Sequence, residues 1–331
     1  MIRKAMIMSA GVGSRLDPLT QTIPKPLVPI ANVPSMDLLL NHLKKYGIEK
    51  VIANTHYCAE QIYKRYTEDI HILDFEYIHE KELSGTAGGV KKCQFFFDEE
   101  EDFLVMSADG LTDLNIEAAI KSHKESGSIA TMIIKTIPHC DVCKFGVVVT
   151  DYNKCICEFQ EKPTIEAAKC NEVNTGIYIF NYEIFKYIPE NTVYDFAKDV
   201  FPRLLANNIP INTFKTEDYW SDIGSIEQYI ASTEDIFNNK IAIDEVQIIH
   251  KEEGKLIIGE DSKLPKNVKI IGNVVIGNNC NIKSETTIKN SIIWDNVTIG
   301  ENLIISDCII AYDSIIETSQ VKKVIKVNSR L

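Results

Sequence analysis

The chain has 331 residues, enough for two domains and a sizeable core. Its 35 Lys and Arg stand against 47 Asp and Glu, and a net charge of -12 argues against a nucleic-acid binder, which needs a basic footprint. Arg3 and Lys4 are followed by only a short apolar run, so no signal peptide is expected, and no stretch approaches the ~20 apolar residues of a membrane span.

Ala5 to Met8 reads as a buried strand that runs into Ser9-Ala10-Gly11-Val12-Gly13-Ser14-Arg15. Two glycines two apart beyond a strand let the backbone turn tightly and bring its N–H groups toward an anion. Arg15 adds a fixed-charge fork suited to phosphate oxygens, and Lys25 adds a second cation on a loop stiffened by Pro24 and Pro26. Together they read as a polyphosphate cradle; for the glycines alone, a tight strand-to-helix turn serves as well. GxxxxGK[ST] is absent, and GxGxxG fails after Gly13.

Met36 to Tyr46 has helical spacing and stops at Gly47. Val51 to Asn54 follows as a strand, Cys58 to Tyr66 as a helix and Asp74 to His79 as a strand. Gly88 to Phe96 reads as a helix, Phe103 to Ser107 as a buried strand, Ile116 to Ser126 as a helix and Ile129 to Lys135 as a β-rich run. This rhythm implies an α/β fold, a Rossmann-like, mostly parallel mixed sheet flanked by helices, with ligands at the carboxyl ends of its strands. Asp109 stands at such an end, where it can hold Mg²⁺ against phosphates; a turn Asp fits the position equally well. Asp222, in Tyr219-Trp220-Ser221-Asp222-Ile223-Gly224, can be a second metal ligand or the N-cap of a helix starting near Ser225. The nine cysteines lack the CxxC…CxxC spacing of two paired motifs and imply reduced, mostly packed thiols and a cytoplasmic protein. His139, Cys140 and Cys143 are a weaker alternative, as a zinc site.

Near residue 245 the helical spacing ends. Leu264, Ile270, Ile276, Ile282 and Ile288 fall six apart, and after a slip Val297, Leu303, Ile309 and Ile315 repeat the step. One aliphatic side chain per six residues predicts a three-sided parallel β-helix. The expected division is therefore a catalytic domain over 1–240 and a coil domain over 241–331.

Met6 to Ile30 resembles the signature of the sugar-nucleotidyltransferases, usually written GGxGTRLxPLT…PKP and here AGVGSRLDPLT…PKP. Ala10 and Ser14 are mild departures; Asp17 places a carboxylate beside a phosphate loop. Leu83-Ser84-Gly85-Thr86-Ala87-Gly88 resembles the family's L-G-T-A-G segment against which the base packs, with Ser84 out of pattern. Phe145-Gly146-Val147 is similar to its Y-G-V, Phe159 to Pro163 to its F-x-E-K-P, and Val173-Asn174-Thr175-Gly176 follows in family order. The coil resembles the left-handed hexapeptide-repeat helix of many such enzymes; with no His inside the repeats, a scaffold joining copies into a homo-oligomer is expected.

The resemblance implies a nucleoside triphosphate and a sugar 1-phosphate as substrates, with no nucleic acid or membrane as partner. Ala10, Gly11, Gly13, Ser14, Arg15, Gly85 and Thr86 would take the nucleotide. Gly146, Glu161, Lys162, Asn174 and Thr175 would take the sugar phosphate, and Asp109 with Asp222 would hold Mg²⁺. Arg15, Lys25 and Lys162 would carry the catalytic charge. The motifs look most like mannose-1-phosphate guanylyltransferases, which favours GTP. Thymidylyl-, uridylyl- or cytidylyl transfer to glucose- or heptose-type phosphates is the alternative, and a catalytically weak sugar-nucleotide sensor is the reading from another class.

Overall fold

The computed structural model describes residues 2–331 as two compact units that interleave in sequence. One holds the chain up to Gly11 and Leu39–Asp222; the other holds Val12–Leu38 and Ile223–Leu331.

The first unit is built on a mixed sheet. Its strands are β1 (Lys4–Met8), β4 (Lys50–Thr55), β5 (Asp74–His79), β6 (Phe103–Ser107), β8 (Ala130–Thr136), β9 (Gly146–Thr150), β10 (Ile156–Glu161), β11 (Glu172–Phe180) and β12 (Ile211–Thr216), where β2 and β3 denote the hairpin strands Pro29–Ile30 and Val33–Pro34 of the second unit. The main order is β10-β9-β11-β6-β1-β4-β5, with β8 joining β11 to β12. β1 lies parallel to both β4 and β6, so strand order reverses there, as the α/β rhythm implied. The reversed half is mixed: β11 is antiparallel to β6, β8 and β9, and β9 to β10, while β12 runs parallel to β8.

From Ala5 to Met8, β1 is apolar because a central strand is covered on both faces. Its Met6 joins a core of Phe97, Phe103, Phe180, Phe185 and Phe196. Helix α4 (Ile116–Ser126) begins where Asn115 Oδ1 accepts from Ala118 N at 3.0 Å and ends at Gly127 with φ 62°. Two predicted helices are differently bounded. The first is α2 (Ala59–Tyr63), continued by a π turn over Lys64–Asp69. The other is α3 (Gly85–Lys92), which starts three residues early and gives way to a 3₁₀ turn at Gln94–Phe96.

The second unit carries a parallel β-coil preceded by helix α6 (Ile226–Phe237), whose N-cap is Ser225, accepting from Gln228 N at 3.3 Å. Asn281 pairs with Thr298 and Thr298 with Ile315, a step of 17 residues. In these turns one of the three sides is therefore five residues long, whereas Ile258 to Ile276 is a step of 18 and Ser306 to Val321 a step of 15. The aliphatic series runs Ile282, Ile288, Ile293, Ile299, Ile305, Ile310, Ile316, all in the coil core. This corrects the predicted second series. Val297 and Leu303 are buried in the core, but Ile309 is not part of it and Ile315 is 38% exposed, because a strict six-step drifts by one residue each turn. Corners are turned by residues with left-handed backbone, among them Asn279, Glu285, Asn290, Asn296, Asn302, Asp307 and Asp313. Asn suits that conformation, and its amide also bonds the next turn: Asn296 Nδ2 donates to Asp313 Oδ1 at 3.0 Å.

Candidate active site

In the first unit β6 ends at Ser107, Ala108 N donates to Met8 O at 3.1 Å, and the chain turns at Asp109 into β7 (Gly110–Thr112). β13 (Trp220–Asp222) pairs antiparallel with β7 and sets Asp222 opposite Gly110. Facing residues of such a ladder have Cα atoms roughly 4.5–5.5 Å apart, so both half-buried carboxylates stand at one strand end. Asp109 Oδ1 accepts a short hydrogen bond from Ser107 Oγ. The Trp220 ring packs on Phe145 with centroids 5.3 Å apart, and its buried Nε1 has no hydrogen-bond partner among the described residues.

No group of three or more His, Cys, Asp or Glu is gathered for a metal among the described residues, which leaves His139, Cys140 and Cys143 without the shared geometry of a zinc cage. A pair of carboxylates on one ladder instead fits Mg²⁺, which binds one or two carboxylates and fills its octahedron with water and phosphate oxygens.

The residues expected around a sugar phosphate lie on neighbouring strands. Glu161 pairs with Gly146, and Val173 with Val147. Gly146 is required: a Cβ there would lie 2.4 Å from the Phe159 ring. Lys162 is exposed, its Nζ is 3.8 Å from Glu161 Oε1, and its φ of 45° is unusual for a residue other than glycine. A register shift in β11 between Asn174 and Tyr178 forms a bulge in which Gly176 N donates to Asn174 Oδ1 at 2.9 Å. Asn174 Nδ2 donates to the Tyr178 hydroxyl at 2.8 Å. Burial pushes the Tyr178 phenol up against that hydrogen bond, so it stays protonated. Thr175 Oγ1 donates to Ile133 O at 2.8 Å and is buried, so its hydroxyl serves the sheet.

Gly85 opens α3 with φ 77°, and a Cβ there would fall 2.4 Å from Tyr194 O. That carbonyl accepts from Ala87 N and Gly88 N, both at 3.0 Å. Thr86 Oγ1 donates to Asp195 Oδ2 at 2.8 Å and accepts from Phe196 N, so it fastens the loop. Ala10 is buried and Gly11 exposed beyond β1.

A hub that the sequence did not reveal ties these loops together. Glu80, 2% exposed, accepts from Asn54 Nδ2 at 2.7 Å, from Lys92 Nζ at 2.9 Å and from both N and Oγ of Ser84. Asn54 Oδ1 in turn accepts from Ser9 N at 3.0 Å. Burial alone would raise the Glu80 pKa, but the hydrogen bonds from Ser84, Lys92 and Asn54 outweigh it and hold the carboxyl below its ordinary range. Ser84, out of place in the family pattern, is thus a ligand of this buried charge. Nothing in the spacing marks Glu80, because its partners come from β4 and from the two ends of α3.

In the second unit Gly13 has φ 75° and starts a 3₁₀ turn over Ser14–Leu16. Thr20 Oγ1 lies 2.9 Å from Gly13 O and 3.1 Å from Asp17 Oδ1, so the carboxylate of Asp17 faces a hydroxyl on its own loop. Ser14 and Arg15 are exposed, whereas Lys25 is 9% exposed, with its Cβ 3.0 Å from where a Gly13 Cβ would sit.

A mixed sheet whose strand order reverses at β1, with the Asp109 and Asp222 carboxylates at a strand end, defines a doubly wound α/β protein. The chain belongs to the nucleotidyl transferase family, which matches residues 4–239, and its residues 252–327 match the GMPPB C-terminal domain. It is 37% identical over 302 residues to a UTP–glucose-1-phosphate uridylyltransferase of Synechocystis sp., covering 81% of this chain and 77% of that protein. It is 32% identical to the mannose-1-phosphate guanylyltransferase catalytic subunit beta of Drosophila pseudoobscura pseudoobscura, over 69% of this chain and only 60% of that protein. The fold is shared with UDP-glucose pyrophosphorylase complexed with UDP-glucose (TM-score 0.64, 21% identity, 72% of this chain and 99% of that one). HddC from Yersinia pseudotuberculosis is also similar (TM-score 0.61, 25% identity, 71% of this chain and all of that one). No helix is long and apolar enough to cross a membrane among the described residues.

Proposed function

We propose that the protein joins a nucleoside triphosphate to a sugar 1-phosphate, giving a nucleoside-diphosphate-sugar and pyrophosphate. The observation that carries this reading is the carboxylate pair at the head of the β7–β13 ladder, Asp222 opposite Gly110 and Asp109 one residue before it, at the end of the strand beside the sheet's reversal point. A sugar-phosphate oxygen attacks the α-phosphorus in line, the new P–O bond forms, and the bond to the β-phosphate oxygen breaks as pyrophosphate departs. Phosphoryl-type transfers need positioning and charge neutralisation more than covalent help. No general base is required, because a phosphomonoester is already largely ionised at neutral pH.

Roles divide by charge and place. Arg15 and Lys25 take the triphosphate and the leaving pyrophosphate, and the backbone at Ala10, Gly11, Gly13 and Ser14 shapes that loop. Gly85 lets the base loop turn, and Thr86 fastens it through Asp195. Lys162 receives the sugar phosphate; Glu161 and Asn174 orient hydroxyls, Gly146 lines the sugar, and Thr175 braces the bulge. Asp109 and Asp222 would hold Mg²⁺, which when bound neutralises phosphate charge.

The substrate pair favoured is GTP with mannose 1-phosphate, supported by the match of residues 252–327 and by the guanylyltransferase relative. A second reading, UTP with glucose 1-phosphate, is favoured by 37% identity over most of the chain to the uridylyltransferase. Pyrophosphate release from a matrix of triphosphates and sugar 1-phosphates separates them: GTP with mannose 1-phosphate should give the highest kcat/KM. UTP with glucose 1-phosphate ahead would replace it, and no release with any pair would leave the sensor.

The same reading takes 1–240 as catalytic and 241–331 as a scaffold joining copies in the cytoplasm. Light scattering should then return a multiple of the 37.4 kDa chain mass; a particle of one chain would refute the scaffold.

A further inference from the structure

The segment that carries Lys25 is fastened at two points within the second unit. After the 3₁₀ turn Lys25–Leu27 the chain forms a hairpin from β2 and β3, joined by Ala31 and Asn32. Both residues have positive φ, 49° and 72°, the geometry of a two-residue type I′ turn. At the hairpin tip Asn32 Nδ2 donates to Ile276 O of the β-coil at 2.7 Å. At its base the Tyr229 hydroxyl of α6 donates to Pro29 O at 2.7 Å and accepts from Trp294 Nε1 at 3.0 Å. Tyr229 and Trp294 are 0% and 1% exposed, and Trp294 is an integral coil residue whose backbone N donates to Ile310 O.

The link from this anchor to the cation is short and stiff. Val28 N donates to Lys25 O at 3.1 Å, Ser35 N to Val28 O at 3.1 Å, and Ser35 Oγ to Pro26 O at 3.0 Å. The Lys25 stem then backs the Gly13 turn. A buried relay therefore runs from the coil core through Trp294, Tyr229 and Pro29 to the phosphate loop. An apolar contact would pack the two parts as well, but it would not fix direction; a hydroxyl bonded on both sides does.

We infer that Tyr229, Trp294 and Asn32 are positioning residues for the nucleotide, so that the β-coil sets the affinity of the triphosphate loop as well as any scaffold role. This rests on Lys25 belonging to the triphosphate site. Burial pushes the Tyr229 phenol up against the Trp294 hydrogen bond, which keeps it a neutral donor throughout the working pH range.

The test uses the full chain. Tyr229→Phe keeps the ring and removes both hydrogen bonds. It should raise KM for the triphosphate about tenfold, while KM for the sugar 1-phosphate stays within about twofold, since small displacements of a binding group are felt by the ligand it positions. Trp294→Phe should act in the same direction, and the double variant should be no worse than Tyr229→Phe alone, because the residues share one relay. Hydrogen exchange over residues 24–35 should quicken in each. A folded Tyr229→Phe protein with unchanged triphosphate KM and unchanged exchange overturns the inference. Should Tyr229→Phe fail to fold, Asn32→Gly, which suits the positive φ, carries the same expectation and the same power to refute. Lys25→Ala separates the two readings: if it leaves triphosphate KM unmoved, the loop assignment fails, while the exchange measurement still decides whether the relay holds the segment.

Discussion

Asp109→Asn should lower Mg²⁺-dependent turnover about a thousandfold, as expected when an ion contributing several kcal/mol of charge stabilisation is lost. The substitution is nearly isosteric, and the amide oxygen can still accept from Ser107 Oγ, so the β6–β7 turn should keep its shape. The charge that, on the proposed reading, would draw a divalent ion against phosphate is what disappears. Asp222→Asn should have an effect of similar size, because its backbone is registered to Gly110 next to Asp109. The double variant should then be scarcely worse than either alone, since the two would serve one ion. Turnover as a function of Mg²⁺ checks this: near-normal rates for Asp109→Asn at ordinary magnesium would remove the pair from the mechanism.

Arg15→Ala should cost about 100-fold to 1000-fold in kcat/KM for the triphosphate, the scale seen when a preorganised donor to developing charge is removed. Arg15 is exposed on a 3₁₀ turn whose shape is held by backbone bonds, Leu16 N to Gly13 O at 2.9 Å and Asp17 N to Ser14 O at 3.2 Å. Its loss should leave melting temperature unchanged. Arg15→Lys keeps the charge and loses the planar fork, so it should recover only part of the activity. Equal kinetics for Arg15→Ala and the parent, with the protein folded, would place the triphosphate elsewhere.

The first unit was legible where an element has a clear pattern and a marked end. Phe103–Ser107 and Ile116–Ser126 fall at their predicted bounds because each has a sharp terminus, the first a turn at Asp109, the second Asn115 and Gly127. The start of α3 was misplaced because Gly85-Thr86-Ala87 has little helical signal; the Tyr194 carbonyl, from far along the chain, collects its first N–H groups. In the coil the six-residue rhythm revealed the architecture but not its closure. The ladder Asn281, Thr298, Ile315 shows that these turns take 17 residues, which turns Ile315 outward and Ile316 inward. Of the candidate site, the charged residues in motifs were visible. Thr86 and Thr175 bond the protein's own chain, a choice between neighbours that no spacing encodes. Glu80 was invisible for the same reason: a buried carboxylate is defined by the donors that surround it.

Pro29 and Tyr229 are 200 positions apart, and Asn32 and Ile276 are 244 apart. During synthesis at roughly 5–20 residues per second, the glycine-and-lysine segment therefore leaves the ribosome some tens of seconds before its anchors exist. Until the last third of the polypeptide is made, those two anchors are missing and the early segment has only its own bonds, such as Ser35 N to Val28 O and Ser35 Oγ to Pro26 O, to shape it. On the relay proposed above, full triphosphate affinity would follow only once the anchors form.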